Sequence, residues 1–154
     1  MNIDFERASI KDVDKINEIR NKSFYDDFIE YGEFPGYNCT IEGVTEAVTE
    51  RYVYIIKCDG NIVGNISVGT DNKGDYSLNA LCVIPEYQNK GIGQMAMNFI
   101  ENQFSDANHW STETPAHKSR NIYFYKKFGY KITKQYVRKT VELVVLEKCC
   151  DTIF

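Results

Sequence analysis

Leu81-Cys82-Val83-Ile84-Pro85-Glu86-Tyr87-Gln88-Asn89-Lys90-Gly91-Ile92-Gly93 joins an apolar strand to an apolar-faced helix through a glycine-bearing turn. Residues Ser77 to Ile84 are largely apolar and stop at Pro85, which has no N–H to give to a ladder. Past Gly91 the period changes. Ile92, Met95, Ala96, Phe99, Ile100 and Phe104 follow helical spacing, which predicts one buried helix face.

A helix entrance exposes N–H groups that have no intrahelical acceptor, at the electropositive end of the peptide dipoles. Gly91 and Gly93 leave the main chain open to a phosphate, and Lys90 adds a mobile positive charge, so the turn is a candidate anion seat. Two glycines before a helix also describe an ordinary tight turn. Two familiar phosphate loops do not fit, because G-x-x-x-x-G-K-[ST] is absent and Ala96 replaces the third glycine of G-x-G-x-x-G. What stands is Q-x-x-G-x-G directly after V-x-P-E-Y.

That combination resembles the acetyl-CoA-binding motif of the GNAT superfamily of N-acetyltransferases, R/Q-x-x-G-x-G/A, matched by Gln88, Gly91 and Gly93. The resemblance implies that the amides of Gln88, Asn89, Lys90, Gly91, Ile92, Gly93 and Gln94 bind the cofactor pyrophosphate. It also implies a bulged strand whose backbone at Leu81, Cys82 and Val83 pairs with the pantetheine arm. The fold expected is α+β, with a central, mostly antiparallel seven-stranded sheet, a splayed parallel pair and about four flanking helices.

A chain of 154 residues fits one domain, here expected over residues 1–154. A net charge of −4 argues against a general nucleic-acid binder, which needs a basic face for phosphates. No apolar run approaches the roughly 20 residues that span a bilayer, and Met1-Asn2-Ile3-Asp4-Phe5 lacks a signal-peptide layout, so a cytoplasmic location without membrane association is expected. The five cysteines, Cys39, Cys58, Cys82, Cys149 and Cys150, form no C-x-x-C pair, and neither a disulfide framework nor a metal site is expected. Cys82 reads as a small core residue, with an acyl-accepting nucleophile as the alternative.

The rest of the chain supplies alternating elements. A strand is expected from Ile3 to Ala8, then a helix capped by Ser9 that carries Val13, Ile16, Ile19, Arg20 and Phe24 at helical spacing. Tyr25 to Asn38, aromatic, acidic and broken by Gly32, Pro35 and Gly36, reads as a loop; in the family such a loop borders the acceptor site. Thr40 caps a helix to Arg51 with Ile41, Val44, Ala47 and Val48 on one side. Strands at 52–57 and 61–70 flank Asp59-Gly60, a strong hairpin dipeptide, and Asp71-Asn72-Lys73-Gly74 turns the chain into the strand before the glycine turn. A fifth strand is expected over His109 to Thr114, a helix over His117 to Phe128 and a closing hairpin from strands at 130–136 and 141–146.

Asn121-Ile122-Tyr123-Phe124-Tyr125-Lys126-Lys127-Phe128-Gly129-Tyr130 resembles the second family signature, N-x-x-A-x-x-x-Y-x-x-x-G-F. Tyr125 matches the family tyrosine and Tyr130 replaces the usual Phe, while the family Asn falls at Lys118, leaving Asn121 as the nearest candidate for the pantetheine arm. When an amine attacks the thioester, the departing thiolate needs stabilisation or a proton, and a phenol with a reference pKa of about 10 can supply it. The alternative for Tyr125 is aromatic packing among Tyr123, Phe124 and Phe128. A backbone N–H near Val83 would meet the developing oxyanion.

Many family members carry a carboxylate on the strand before the glycine turn, but here the residues are Leu78-Asn79-Ala80. Glu113, Glu33 or water is left as the general base, and His109 and His117 are given no role. The function implied is acetyl transfer from acetyl-CoA, a co-substrate with no metal, to a primary amine of a small molecule or peptide by direct attack in a ternary complex. The alternatives are a non-catalytic acyl-CoA-binding or sensing module and an α/β domain with another phosphate ligand. Family members often dimerise through late strands, and the apolar run Val141-Glu142-Leu143-Val144-Val145-Leu146 ahead of Cys149 and Cys150 suggests a homodimer, with a buried core strand as the simpler account of the run.

Overall fold

Runs with a two-residue period and runs with a helical period alternate along the chain, and each becomes one layer of a mixed α+β structure. The computed structural model describes residues 1–31 and 40–150, with side chains throughout those ranges except 25–31. The strands are β1 (Ile3–Arg7), β2 (Tyr52–Cys58), β3 (Asn61–Thr70), β4 (Asp75–Val83), β5 (His109–Pro115), β6 (Lys131–Arg138) and β7 (Val141–Cys149). The helices are α1 (Val13–Tyr31), α2 (Ile41–Glu50), α3 (Ile92–Gln103) and α4 (Ser119–Lys127). Seven strands form one sheet in the order β1-β2-β3-β4-β5-β7-β6. β4 and β5 are parallel, whereas β1/β2, β2/β3, β5/β7 and β6/β7 are antiparallel.

The chain divides into two units, Met1–Val68 with Ala80–Ser105, and Gly69–Asn79 with Asp106–Phe154. In the first, strand parity decides which helix each side chain meets. Val53 and Ile55 of β2 join Ala8, Val13, Ile16, Val44, Ala47 and Val48 in one apolar cluster under α1 and α2. Tyr52 and Tyr54 point to the other face, where their rings lie 5.1 and 5.0 Å from Phe104 and Phe99 respectively, and Phe5 stacks on Phe99 at 4.5 Å. The Asp59-Gly60 turn takes positive φ at both residues, 50° and 86°, the twist a two-residue hairpin requires. Thr40 caps α2 by accepting the Gly43 N–H at 3.0 Å.

Two expectations change. The segment 25–31 continues α1 rather than starting a loop, because no glycine or proline interrupts the chain before Gly32; the rest of that predicted loop, including Glu33, lies outside the described residues. On α3, Met95 is 41% exposed and Met97 takes its place among Ile92, Ala96 and Ile100 in the core. β7 lies inside the sheet between β5 and β6, with Val141, Leu143, Val144 and Leu146 buried. Its apolar run is therefore accounted for by core packing. The outer strand β6 is largely exposed and carries Lys131, Lys134 and Arg138, charges that discourage edge pairing.

In the second unit the parallel ladder pairs Asp75, Tyr76 and Ser77 with His109, Trp110 and Ser111. Trp110, 1% exposed, stacks on Tyr76, whose hydroxyl lies 3.0 Å from both carboxylate oxygens of Asp106. His109 sits between Asp75 and Glu147, with Nε2 2.8 Å from Glu147 Oε1 and Nδ1 3.5 Å from Asp75 Oδ1. The Thr133 hydroxyl and then His109 hold the Glu147 carboxyl below its ordinary range. A carboxylate with a depressed folded pKa stabilises the fold above its unfolded pKa, and the contribution disappears as pH falls through the folded value. The Glu147 side chain is 36% exposed, so water limits the effect to less than about 1 kcal/mol. Urea unfolding between pH 6 and pH 3 should therefore show Glu147→Gln losing less stability on acidification than the wild type. Parallel losses would mean that this carboxylate is not linked to folding.

Candidate active site

Between β4 and α3 the chain makes a single 3₁₀ turn at Pro85–Tyr87 and then two left-handed residues, Asn89 (φ 64°) and Gly91 (φ 82°). The turn is tied at both ends. Before it, the Ile84 N–H donates to Val63 O at 2.9 Å and the Gln88 side chain donates through Nε2 to Val83 O at 2.8 Å. After it, Ile92 is 2% exposed and the first helical bond runs from Met95 N–H to Gly91 O at 3.1 Å. Between these ties the six N–H groups of Asn89, Lys90, Gly91, Ile92, Gly93 and Gln94 find no acceptor among the described residues. They form one electropositive strip at the start of α3, beside the exposed Lys90. At Gly91 an added Cβ would meet nothing within 4 Å, so glycine is required there by the backbone angle and the space in front of it is open.

Cys82 is buried and donates its S–H to Asn65 Oδ1, with sulfur and oxygen 2.6 Å apart. Burial pushes its thiol upward, outweighing the downward pull of Arg20, and a buried thiol held in its neutral form is a poor nucleophile. The geometry favours the core reading of Cys82 over the acyl-accepting one. Its neighbours Leu81 and Val83 are half-buried on the same strand.

In the other unit, α4 lies over the β5 face that carries Trp110, Thr112 and Thr114. Asn121 donates from Nδ2 to Thr114 Oγ1 at 3.1 Å, so one of its polar groups holds α4 to the strand. Tyr125, one turn further on, is half-buried, with its ring 5.2 Å from Phe124 and 5.7 Å from Tyr130 and its hydroxyl end enclosed. Burial pushes its phenol up to about 12, against a smaller downward pull from a hydrogen bond with the Thr112 hydroxyl. Thr112 in turn donates to Leu78 O at 3.1 Å, just past the last paired residues of the parallel ladder. Sequence pattern alone gave no reason to single out Thr112, since its role depends on which face of β5 it occupies.

The same alternation separates Glu113 from this group. It points to the opposite face of β5, is exposed, and accepts a 2.6 Å hydrogen bond from the Tyr136 hydroxyl. That bond, then burial, pushes the Tyr136 phenol upward. Glu113 and the Thr112-bound Tyr125 hydroxyl therefore do not address one reacting group. Among the described residues no cluster of His, Cys, Asp and Glu is arranged to hold a metal ion, and no helix is long and apolar enough to cross a membrane.

Residues 49–132, more than half of the chain, match the family model of the acetyltransferase (GNAT) domain. The uncharacterised protein YrkN of Bacillus subtilis (strain 168) is 41% identical over 86 residues, covering 54% of this chain and 46% of that protein. The match thus spans about half the length of that curated relative. Among solved structures, the fold is similar to PaiA N-acetyltransferase from Thermoplasma acidophilum, crystallised with coenzyme A (TM-score 0.81, 18% identity, 97% of this chain and 100% of that one). It is also similar to an acetyltransferase from Thermus thermophilus (TM-score 0.77, 15% identity, 97% and 98%). A third is Naa50 of Arabidopsis thaliana, solved with the bisubstrate analogue CoA-Ac-MVNAL (TM-score 0.76, 18% identity, 97% and 100%). At these identities the structural likeness concerns the fold.

The left-handed backbone at Gly91 gives a direct check on the turn. Gly91→Ala places its Cβ in open space, so the variant should fold, with stability lowered by about 1–2 kcal/mol through backbone strain alone. The shift of the urea midpoint measures this, and an unchanged midpoint would mean that residue 91 is not held left-handed.

Proposed function

The chain belongs to the GNAT acetyltransferase family, and on that premise we propose that it moves an acetyl group from acetyl-CoA to a primary amine by direct attack in a ternary complex. The observation that carries this reading is the strip of six N–H groups from Asn89 to Gln94 without acceptors. A pyrophosphate supplies the oxygen acceptors and the negative charge that such a strip lacks. That PaiA was crystallised with coenzyme A is in keeping with this assignment. In this reading the β4 backbone at Leu81, Cys82 and Val83 pairs with the pantetheine arm, Asn121 contributes to holding it, and the elements from β1 to β7 serve one acetyltransferase domain.

Tyr125 is assigned to the leaving sulfur. In the reaction a C–N bond forms, the C–S bond breaks, and the proton given up by the attacking amine finishes on the CoA thiol. A phenol near 12 holds its proton more tightly than a thiol of about 8.5, so complete transfer from Tyr125 to the thiolate is uphill. Its contribution is a hydrogen bond donated to sulfur as charge develops there, with the phenol remaining protonated at every working pH. Thr112, whose own proton goes to Leu78 O, accepts from the resting Tyr125 hydroxyl, which turns to sulfur as charge develops there. Glu113 is turned to the other face of β5, and water is the base this reading uses for the amine.

Two variants test the assignment separately. Gly91→Glu sets bulk and negative charge in the open space before the turn, and its calorimetric affinity for acetyl-CoA should fall at least about tenfold. Wild-type affinity in the folded variant would contradict a pyrophosphate seat at this turn. Tyr125→Phe keeps the ring packing and should leave acetyl-CoA affinity nearly unchanged while turnover with a good acceptor drops about 10²-fold or more. An effect confined to the apparent affinity for acetyl-CoA would make Tyr125 a cofactor-positioning residue only.

A further inference from the structure

The inward stripe of α1 is not apolar throughout. After Val13, Ile16 and Ile19 it presents Arg20, which is only 8% exposed. Among the described residues Arg20 makes neither a hydrogen bond nor an ion pair, and its Nε is enclosed without an acceptor. The nearest acidic residues of the helix do not serve it: Glu18 is held by Lys15 at 2.9 Å and by Lys22 at 3.6 Å, and Asp14 is exposed. A largely buried arginine with no counter-charge among the described residues is suited to an anionic partner.

The sheet below α1 is polar at the same place. Asn65 and Ser67 are opposite Ile55 and Val53 in the β2/β3 register, so they share the face covered by α1 and α2. Both are 0% exposed, and Asn65 Nδ2 and Ser67 Oγ have no partner; Asn17 Oδ1, one turn before Arg20, is in the same condition. Cys82 connects this group to β4, since its sulfur lies 2.6 Å from Asn65 Oδ1 and its thiol feels both the Arg20 charge and the Ser23 hydroxyl. One positive fork and several N–H and O–H groups therefore lie on the α1-facing side of the sheet, where apolar packing would be expected. Natural proteins rarely leave so many buried polar atoms unsatisfied in one place.

We propose that Arg20, with Asn65 and Ser67, holds the carboxylate of the acyl acceptor, so that the acceptor is a small amine that also carries a carboxylate, an amino acid or a close analogue. The proposal rests on the acetyl-transfer reading above, which assigns the β4 backbone on either side of Cys82 to the pantetheine arm. A carboxylate in the Arg20 group would bring its amine beside the strand that carries the thioester. Guanidinium and carboxylate match as two parallel N–H···O bonds, and one positive charge among neutral donors balances a monoanion better than a dianionic phosphate.

The test is calorimetric titration of the full chain, in the presence of CoA, with a panel of amino acids, their carboxamides, their decarboxylated amines and their phosphonate analogues. The wild type should bind at least one amino acid about 10²-fold more tightly than its carboxamide or decarboxylated amine, and more tightly than its phosphonate. Arg20→Gln should erase that difference. Arg20→Met should fold and melt a few degrees higher than the wild type, because an unpaired buried charge is replaced by an apolar chain. A wild type that binds no acid better than its amide, or an Arg20→Gln variant that keeps the preference, would overturn the proposal. A preference for the phosphonate would overturn the carboxylate assignment, and a lower melting temperature for Arg20→Met without any acid preference would make Arg20 structural. Titration with acetyl-CoA alone separates the two readings. Acid binding without acetyl-CoA binding defeats acetyl transfer and leaves the anion subsite standing, while acetyl-CoA binding without acid preference does the reverse.

Discussion

Six successive backbone N–H groups with no acceptor among the described residues, from Asn89 to Gln94, are the constraint around which the neighbouring structure is arranged. Such a strip does not hold its shape unaided, because unsatisfied amides gain by turning toward any oxygen within reach. Here each escape is closed. The strand before it is fixed to β3 through Ile84 and Val63, the Gln88 side chain returns to Val83 O, and Ile92 anchors the first helical turn in the core. Two left-handed residues, Asn89 and Gly91, turn the chain between these ties. A family that binds an anionic cofactor has use for this arrangement.

The sheet gives its two faces different work. On β2, even-numbered residues meet the aromatic side chains of α3, while odd-numbered ones pack under α1 and α2. Carried to β3 and β4, the second parity brings Asn65, Ser67 and Cys82 to the α1 side, opposite the buried Arg20. Apolar packing therefore secures α1 and α2 at the β1/β2 end, and polar groups take over toward β4. On β5 the same alternation sends Thr112 toward Tyr125 and Glu113 away from it. A single-residue shift in either register would exchange these roles.

Features that depend on local chemistry were legible in the sequence. Asp59-Gly60 makes the hairpin, Thr40 caps α2, and the glycine turn opens α3. The seven-stranded mixed sheet followed from the motif resemblance. What escaped depends on long-range packing. Arg20 fits helical spacing as well as its apolar neighbours do, and nothing in its local sequence shows that it is buried without a carboxylate among the described residues. Met95 and Met97 both lie near the edge of the α3 stripe, so spacing alone did not choose between them. The α1 helix runs to Tyr31 because aromatic and acidic residues permit a helix once its earlier turns are packed, whereas their composition suggested a loop.

The central claim is that the amides of the turn without acceptors among the described residues receive the cofactor pyrophosphate. Two-dimensional ¹H–¹⁵N spectra of the full chain, recorded as acetyl-CoA is added, address those amides individually. The account predicts that signals of Asn89, Lys90, Gly91, Ile92, Gly93 and Gln94 shift together and that their hydrogen exchange slows in the complex. Saturable binding that perturbs other residues while these six signals stay unchanged would contradict it.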